Sequence, residues 1–247
     1  MLTKTPKTAK LYRMVTDEHT CPYGLKALDL LQRHGFDVED HLLTSRADTV
    51  AFKAEHGVQT TPQIFIGGAR VGGYDELRKH LGQPIRDPDA LTYVPVIAVF
   101  AMAGLMACAA SWAATGTILT IRTAEWFIAF SMCILALLKL QNVEGFSTMF
   151  LGYDLLAQRF VRYAYVYPFA EGLAGLLMIA GALMWVAIPV ALFIGGIGAV
   201  SVFKAVYIDE REIKCACVGA DRNVPLGFIS LTENLMMVGM AIWMLTK

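Results

Sequence analysis

Net charge is what this sequence does not have: 21 Lys and Arg stand against 21 Asp and Glu. A nucleic-acid footprint needs a basic surplus, so nucleic acid is excluded as a partner. Charge of either sign is scarce, at 17% of residues, whereas soluble domains carry about 25%. Apolar residues instead reach 56%. Cysteine is equally sparse, with five residues at Cys21, Cys108, Cys133, Cys215 and Cys217. That number suits catalysis or metal binding in a chain facing the cytoplasm, not a structural disulfide framework. There is no ATPase signature, so any transport would be passive or ion-coupled. A secretory signal is also missing: Met1–Lys10 is polar and basic, and the next apolar stretches are short and broken by charge. The N-terminal part is therefore expected to stay in the cytoplasm.

Charge is densest before residue 92 or so, and Ala, Leu, Ile, Val, Phe, Met and Gly dominate the rest. The chain reads as a soluble module over 1–82, a linker over 83–93 marked by Pro84, Asp87 and Pro88, and a membrane module over 94–247. In the first module, Leu11–Val15 is a β-prone run ending in the polar loop Thr16–Thr20. Cys21-Pro22-Tyr23-Gly24 follows, and Leu25, Leu28, Leu30 and Leu31 give helical spacing up to His34-Gly35. Phe36–Leu43 reads as a strand, and Ala47–His56 as a helix closed by Gly57. Gln63–Ile66, Gly67-Gly68 and Ala69–Val71 read as a hairpin, and Tyr74–Leu81 as a last helix. The predicted order is β-α-β-α-β-β-α.

Cys21 carries the chemistry of this module. A cysteine opening a helix meets the free N–H groups and the positive dipole end, which favour a thiolate. Pro22 suits the first helical position, where its missing N–H costs nothing. Cys21-Pro22-Tyr23-Gly24 resembles the glutaredoxin active site Cys-Pro-Tyr-Cys. Thr60-Thr61-Pro62-Gln63 resembles that family's Thr-Val-Pro element with its cis-proline. Gly72-Gly73-Tyr74-Asp75-Glu76-Leu77 resembles its Gly-Gly-x-Asp-Asp-Leu element. The resemblance implies a thioredoxin (glutaredoxin) α/β fold and a glutathione site. Cys21 would form the mixed disulfide, Tyr23 and Gly73 would line the site, and Thr61 and Pro62 would pair with the peptide backbone. Tyr74 and Asp75 would hold the γ-glutamyl end. Gly24 stands where the family has a second cysteine, which implies a monothiol route with glutathione or an external thiol as resolver. Asp17 and Glu18 precede Cys21 and would oppose a thiolate, so a protein partner gains weight against glutathione.

Five apolar stretches follow, at about Val94–Ile118, Ala124–Leu140, Tyr167–Trp185, Ile188–Tyr207 and Pro225–Leu245. Most approach the roughly 20 residues that cross a hydrocarbon core, so an all-α transmembrane bundle is expected in the lipid bilayer. A Pro189-marked turn separates the third from the fourth. With the N-terminus inside, the inner loops carry Lys139, Arg159, Arg162, Lys204, Arg211, Lys214 and Arg222, and the outer segments only Arg122 and Lys247. That predicts a bacterial inner-membrane protein with cytoplasmic N-terminal domain and Cys215-Ala216-Cys217 loop, and a periplasmic C-terminus.

Two thiols so close can form a strained disulfide or chelate a soft ion. The region from about Ala124 resembles the MauE and DoxX-like family of redox-associated membrane proteins. The resemblance rests on Leu138-Lys139-Leu140 followed by Gly145-Phe146, on Pro168 and Glu171 opening the next helix, and on Cys215-Ala216-Cys217-Val218-Gly219. It implies a four-helix bundle concerned with thiol–disulfide chemistry, with Val94–Ile118 as an extra joining helix. Glu171, Glu233 and Asn234, flanked by apolar residues, are either functional groups or interhelical hydrogen-bonding partners. Asn142, Glu144 and Asp154 read as solvated or capping loop groups. Cys108 and Cys133 are a second thiol pair, a soft-metal station or small apolar fillers. Met102 and Met106, like Met236, Met240 and Met244, recur at i, i+4 and share a helix face.

The leading expectation is a glutathione-linked thiol–disulfide oxidoreductase in which Cys21 exchanges with Cys215 and Cys217, in one chain or a homodimer, or with a separate redox partner protein. The alternative is a membrane handler of Cu(I) or Hg(II), captured by Cys215/Cys217 and passed through Cys108 and Cys133. A third reading makes the bundle an inert anchor.

Overall fold

The computed structural model describes residues 7–85, 87, 90, 92–211, 213 and 224–246. The chain divides into two compact units, 1–88 and 89–247. Cys215 and Cys217 lie outside the described residues.

The first unit has a four-stranded sheet in the order β2-β1-β3-β4, formed by β1 (Lys7–Met14), β2 (Phe36–Leu43), β3 (Gln63–Ile66) and β4 (Ala69–Gly72). β2 runs parallel to β1 through a helical crossover, and β3 and β4 run antiparallel. Alternation in β1 sends Ala9 and Leu11 into the core with Ile64, against Ala27, Leu30 and Leu31 of α1 (Pro22–Arg33) and Leu77 of α3 (Tyr74–His80). α2 (Arg46–His56) starts where the Ser45 hydroxyl accepts from the Asp48 N–H and the Asp48 carboxylate accepts from the Ser45 N–H, each at 3.0 Å. It stops at Gly57, whose φ of 62° suits a residue without Cβ. Phe52 from α2 stacks on Tyr12 at 4.6 Å on the other side of the sheet. The mixed sheet with its flanking helices follows the predicted order β-α-β-α-β-β-α and is thioredoxin-like, as the family resemblance implies.

The second unit is helical: α4 (Val94–Thr115), α5 (Ile121–Leu140), α6 (Val143–Leu151), α7 (Val161–Ala180), α8 (Met184–Phe203, prolonged by a π-helical turn at Lys204–Ile208) and α9 (Phe228–Leu245). Five of them are long and apolar enough to cross a membrane. α4 buries Val96, Val99, Ala103, Ala107 and Ser111, one narrow stripe at helical spacing. Ile97, Met102, Leu105 and Trp112 face outward, which suits a lipid environment. α5 begins at a capping box in which the Thr120 hydroxyl accepts from the Thr123 N–H at 3.1 Å. Helix pairs close on small residues. A Cβ on Gly175 of α7 would come within 3.0 Å of the Ala129 carbonyl oxygen of α5, so glycine there sets the approach of the two backbones.

Four expectations change. The third apolar stretch begins at Val161, not Tyr167, and Pro168 lies inside α7 instead of opening it. Pro189 likewise lies inside α8. In a packed membrane bundle neighbouring groups satisfy the carbonyl that such a proline frees. The turn between these helices is Gly181–Leu183, with φ of 64° at Gly181 and 48° at Leu183. α6 occupies part of a predicted loop, with the Asn142 side chain accepting from the Gly145 N–H at 2.8 Å as its cap. Two charged loop residues are in fact interior: Lys139 is 2% exposed and Asp154 fully buried. Lys139 therefore drops out of the inner-loop charge count.

Candidate functional site

Cys21 is the N-cap of α1, held there by a hydrogen bond from its N–H to the Met14 carbonyl at 3.0 Å and by Pro22 at the first helical position. Its side chain is 7% exposed, with Sγ 4.0 Å from the Thr61 carbonyl oxygen. The Thr61–Pro62 bond is cis. Gly73 lies beside this loop, since a Cβ on it would sit 3.6 Å from the Pro62 carbonyl oxygen. Tyr74, at the start of α3, faces Tyr23 at 6.2 Å between ring centroids, and Tyr23 is more than half exposed. Asp75 is exposed in the first turn of α3. Cys21, Tyr23, Thr61, Pro62, Gly73 and Tyr74 thus come together from three separate parts of the chain. Asp17 and Glu18 line an open groove of about 650 Å³ together with Arg46 and Lys53; Cys21 is not among its lining residues.

Gly24 is enforced by a residue that sequence reading passed over. Arg13 of β1 forms a fork with Asp40 of β2, with Nε–Oδ1 at 2.9 Å and NH2–Oδ2 at 2.7 Å. This lays its aliphatic stem across α1, where a Cβ on Gly24 would lie 2.7 Å from the Arg13 Cβ. That atom is next to the backbone and cannot swing away. Gly24→Cys, the substitution that restores a dithiol motif, is therefore expected to destabilise the protein by about 1–3 kcal/mol. Arg13→Gly should recover part of that loss in a double-mutant cycle followed by denaturant unfolding. A neutral Gly24→Cys variant would contradict the steric account.

In the helical unit three ionisable groups meet. Lys139 Nζ of α5 lies 2.8 and 2.6 Å from the two Glu171 oxygens of α7 and 3.2 Å from Glu233 Oε1 of α9. All three side chains are at least nine-tenths buried. Tyr167 and Phe146 lie 5.3 and 6.0 Å from the ammonium, as cation–π partners. Asn234 donates to the Ser230 carbonyl at 2.7 Å, while its Oδ1 has no partner and rests against the bare Cα of Gly198. Both glutamates bond between helices, through Lys139, a residue that the sequence places among the inner-loop charges. Its place four residues before Val143, in a run of leucines, was the available signal.

Asp154 turns its carboxylate on the N–H groups of Leu156 and Ala157 at 3.0 and 2.8 Å, so it caps a turn, as expected, but from the interior. Burial raises its carboxyl above the usual range. Cys133 packs against α7, Sγ 4.0 Å from the Gly172 carbonyl oxygen, and Cys108 is half-buried on α4 beside the Ala107 stripe. Both are free thiols. Among the described residues no group of three His, Cys, Asp or Glu is placed to hold a metal ion.

Comparison with known proteins matches this division. Residues 9–71 fit the glutaredoxin family model, and residues 115–247 fit that of the methylamine utilisation protein MauE. The N-terminal part is 41% identical over 58 residues to a glutaredoxin of Pseudomonas aeruginosa, covering 23% of this chain and 69% of that protein. It is 32% identical over 72 residues to a probable glutaredoxin of Synechocystis, covering 28% and 81%. It is also 42% identical over 60 residues to the hybrid peroxiredoxin hyPrx5 of Haemophilus influenzae, where the match spans only 24% of this chain and 25% of the relative. A thioredoxin-like unit with its cysteine at a helix start, followed by five apolar helices of which the last four fall within a family match over more than half the chain, leaves one assignment: this is a membrane protein of the MauE family with an N-terminal glutaredoxin domain.

Proposed function

We propose that the protein is a membrane-bound, glutathione-linked thiol–disulfide oxidoreductase in which Cys21 exchanges with the Cys215/Cys217 pair of its own membrane domain. The observation that carries this reading is the position of Cys21: helix N-cap, opposite the cis Thr61–Pro62 bond, with Gly73 and Tyr74 alongside. Glutathione would bind with its backbone against Thr61 and Pro62 and its γ-glutamyl end toward Tyr74 and Asp75, with Tyr23 flanking. With Gly24 in place of a second cysteine, the domain has no internal resolver, so the disulfide on Cys21 must be resolved from outside.

The exchange balances as follows. The Cys21 thiolate attacks the Cys215–Cys217 disulfide, forming one mixed disulfide and releasing one thiolate. A glutathione thiolate then takes Cys21 and frees the second membrane thiol. A second glutathione releases Cys21 as the thiolate and leaves as glutathione disulfide. Two glutathione molecules are oxidised for each membrane disulfide reduced, and the same steps in reverse oxidise the pair. Each step needs sulfur–sulfur contact, and the short connection between domains supplies it as effective concentration. The segment carrying the pair starts and ends on the bundle: the Leu226 N–H donates to the Ile213 carbonyl at 2.7 Å, and both residues pack on the helical core. The orientation that fits has the glutaredoxin domain and this segment on the cytoplasmic face of a bacterial inner membrane and the C-terminus in the periplasm.

The test is Cys215→Ser/Cys217→Ser in the full-length chain. The glutathione adduct on Cys21 should form as before, while transfer of disulfide oxidation between glutathione and the membrane domain disappears. A double variant with unaltered exchange kinetics would reduce the bundle to an anchor.

A further inference from the structure

The Lys139 cluster does not balance. One ammonium faces two carboxylates, and among the described residues no second cation reaches them. Among the described residues, the remaining titratable groups around it are Cys133 of α5, Tyr163 and Tyr167 of α7, and Tyr153 and Asp154 between α6 and α7. α8 contributes only Gly198 and Val202. A thiol or a phenol cannot supply positive charge, and Asp154 can only add negative charge. With both glutamates ionised, a net negative charge would sit inside a membrane bundle, where an uncompensated ion is strongly disfavoured. A second observation points the same way. Asn234 Oδ1 is buried, unpartnered, and opens with Lys139 and Glu233 onto a cavity of about 10 Å³, near the smallest space that holds one water molecule. Among the described residues the site therefore lacks one positive charge and one hydrogen-bond donor, and it has no room for more than a water-sized guest.

We propose that Lys139, Glu171, Glu233 and Asn234 form an intramembrane proton-binding site whose ligand is a single exchangeable proton shared by the two carboxyl groups. The proton belongs to the pair and not to one residue. It makes the cluster neutral while Lys139 stays charged, and a water in the cavity can link the carboxyl group to Asn234 Oδ1. A metal cation fits less well, because it would lie next to the Lys139 ammonium. The inference is independent of the thiol chemistry and stands or falls without it.

The test is infrared spectroscopy of the full-length protein in lipid at neutral pH, reading the carbonyl stretch of protonated carboxyl groups and its shift in D2O. Wild type should show one such group. Glu171→Gln and Glu233→Gln should each remove it, since either leaves a balanced Lys–Glu pair, and Asp154→Asn should keep it. No protonated carboxyl in wild type would overturn the proposal, and so would one that vanishes in Asp154→Asn. A band that appears only when Na⁺ and K⁺ are withdrawn would make the site a cation site instead. If neither glutamine variant folds, wild type and Asp154→Asn alone still decide.

Discussion

Lys139→Met is expected to cost the helical bundle about 3–5 kcal/mol, the scale for removing one partner from a buried ion pair. The reason is not the loss of an attraction as such. Methionine fills much of the same volume, but it leaves Glu171, fully buried, and Glu233, 6% exposed, facing each other with no cation. Three helices, α5, α7 and α9, meet at this point, so the penalty falls on the packing of the whole unit. The control is Lys139→Met/Glu171→Gln/Glu233→Gln, which removes every charge and should regain most of the stability. Thermal unfolding in a single detergent, with ligand and protein concentration fixed, reads both variants. If the single variant melts with wild type, the cluster is not a structural keystone.

Cys21→Ser is expected to abolish glutathione mixed-disulfide formation on the first domain, because Cys21 is the one cysteine among residues 1–93. Stability should not fall with it. Cys21 caps α1 without a side-chain hydrogen bond to the helix N–H groups, and serine is among the preferred N-cap residues. The variant should therefore keep or slightly raise its unfolding midpoint while losing all adduct by mass spectrometry. A glutathione adduct retained on the N-terminal domain of Cys21→Ser would remove Cys21 from the mechanism.

The first domain was legible because each of its signals is local, although β1 starts at Lys7, four residues before the run read from Leu11. Phe36–Leu43 is a strand with the predicted ends, Gly57 stops α2, and Gly67-Gly68 turns the hairpin. Cys21, Tyr23, Thr61, Pro62, Gly73 and Tyr74 come together in space. Where expectation failed, a local rule met a tertiary environment. Prolines at 168 and 189 read as helix boundaries, yet a bundle can satisfy the carbonyls they free. Lys139 read as a loop charge because a lysine in a membrane helix is rare; only the positions of Glu171 and Glu233 on two other helices explain it. Asp154 likewise depends on a turn that buries its carboxylate on two N–H groups. Arg13 shows the same limit in the soluble domain. Nothing near it in sequence announces that its stem excludes a side chain at residue 24. Met102 and Met106 share a face, as i, i+4 spacing requires, and that face is open to the outside of the bundle, not part of its core.

The relay from Cys21 to the membrane pair is tested most directly by oxidising the full-length protein in detergent with glutathione disulfide and mapping its disulfides by mass spectrometry. The account predicts a bond between Cys21 and Cys215 or Cys217, or glutathione passed from the first to the second. Cys21 glutathionylated beside a pair that stays inert to thiol exchange, yet binds Cu(I) or Hg(II) tightly, would contradict it.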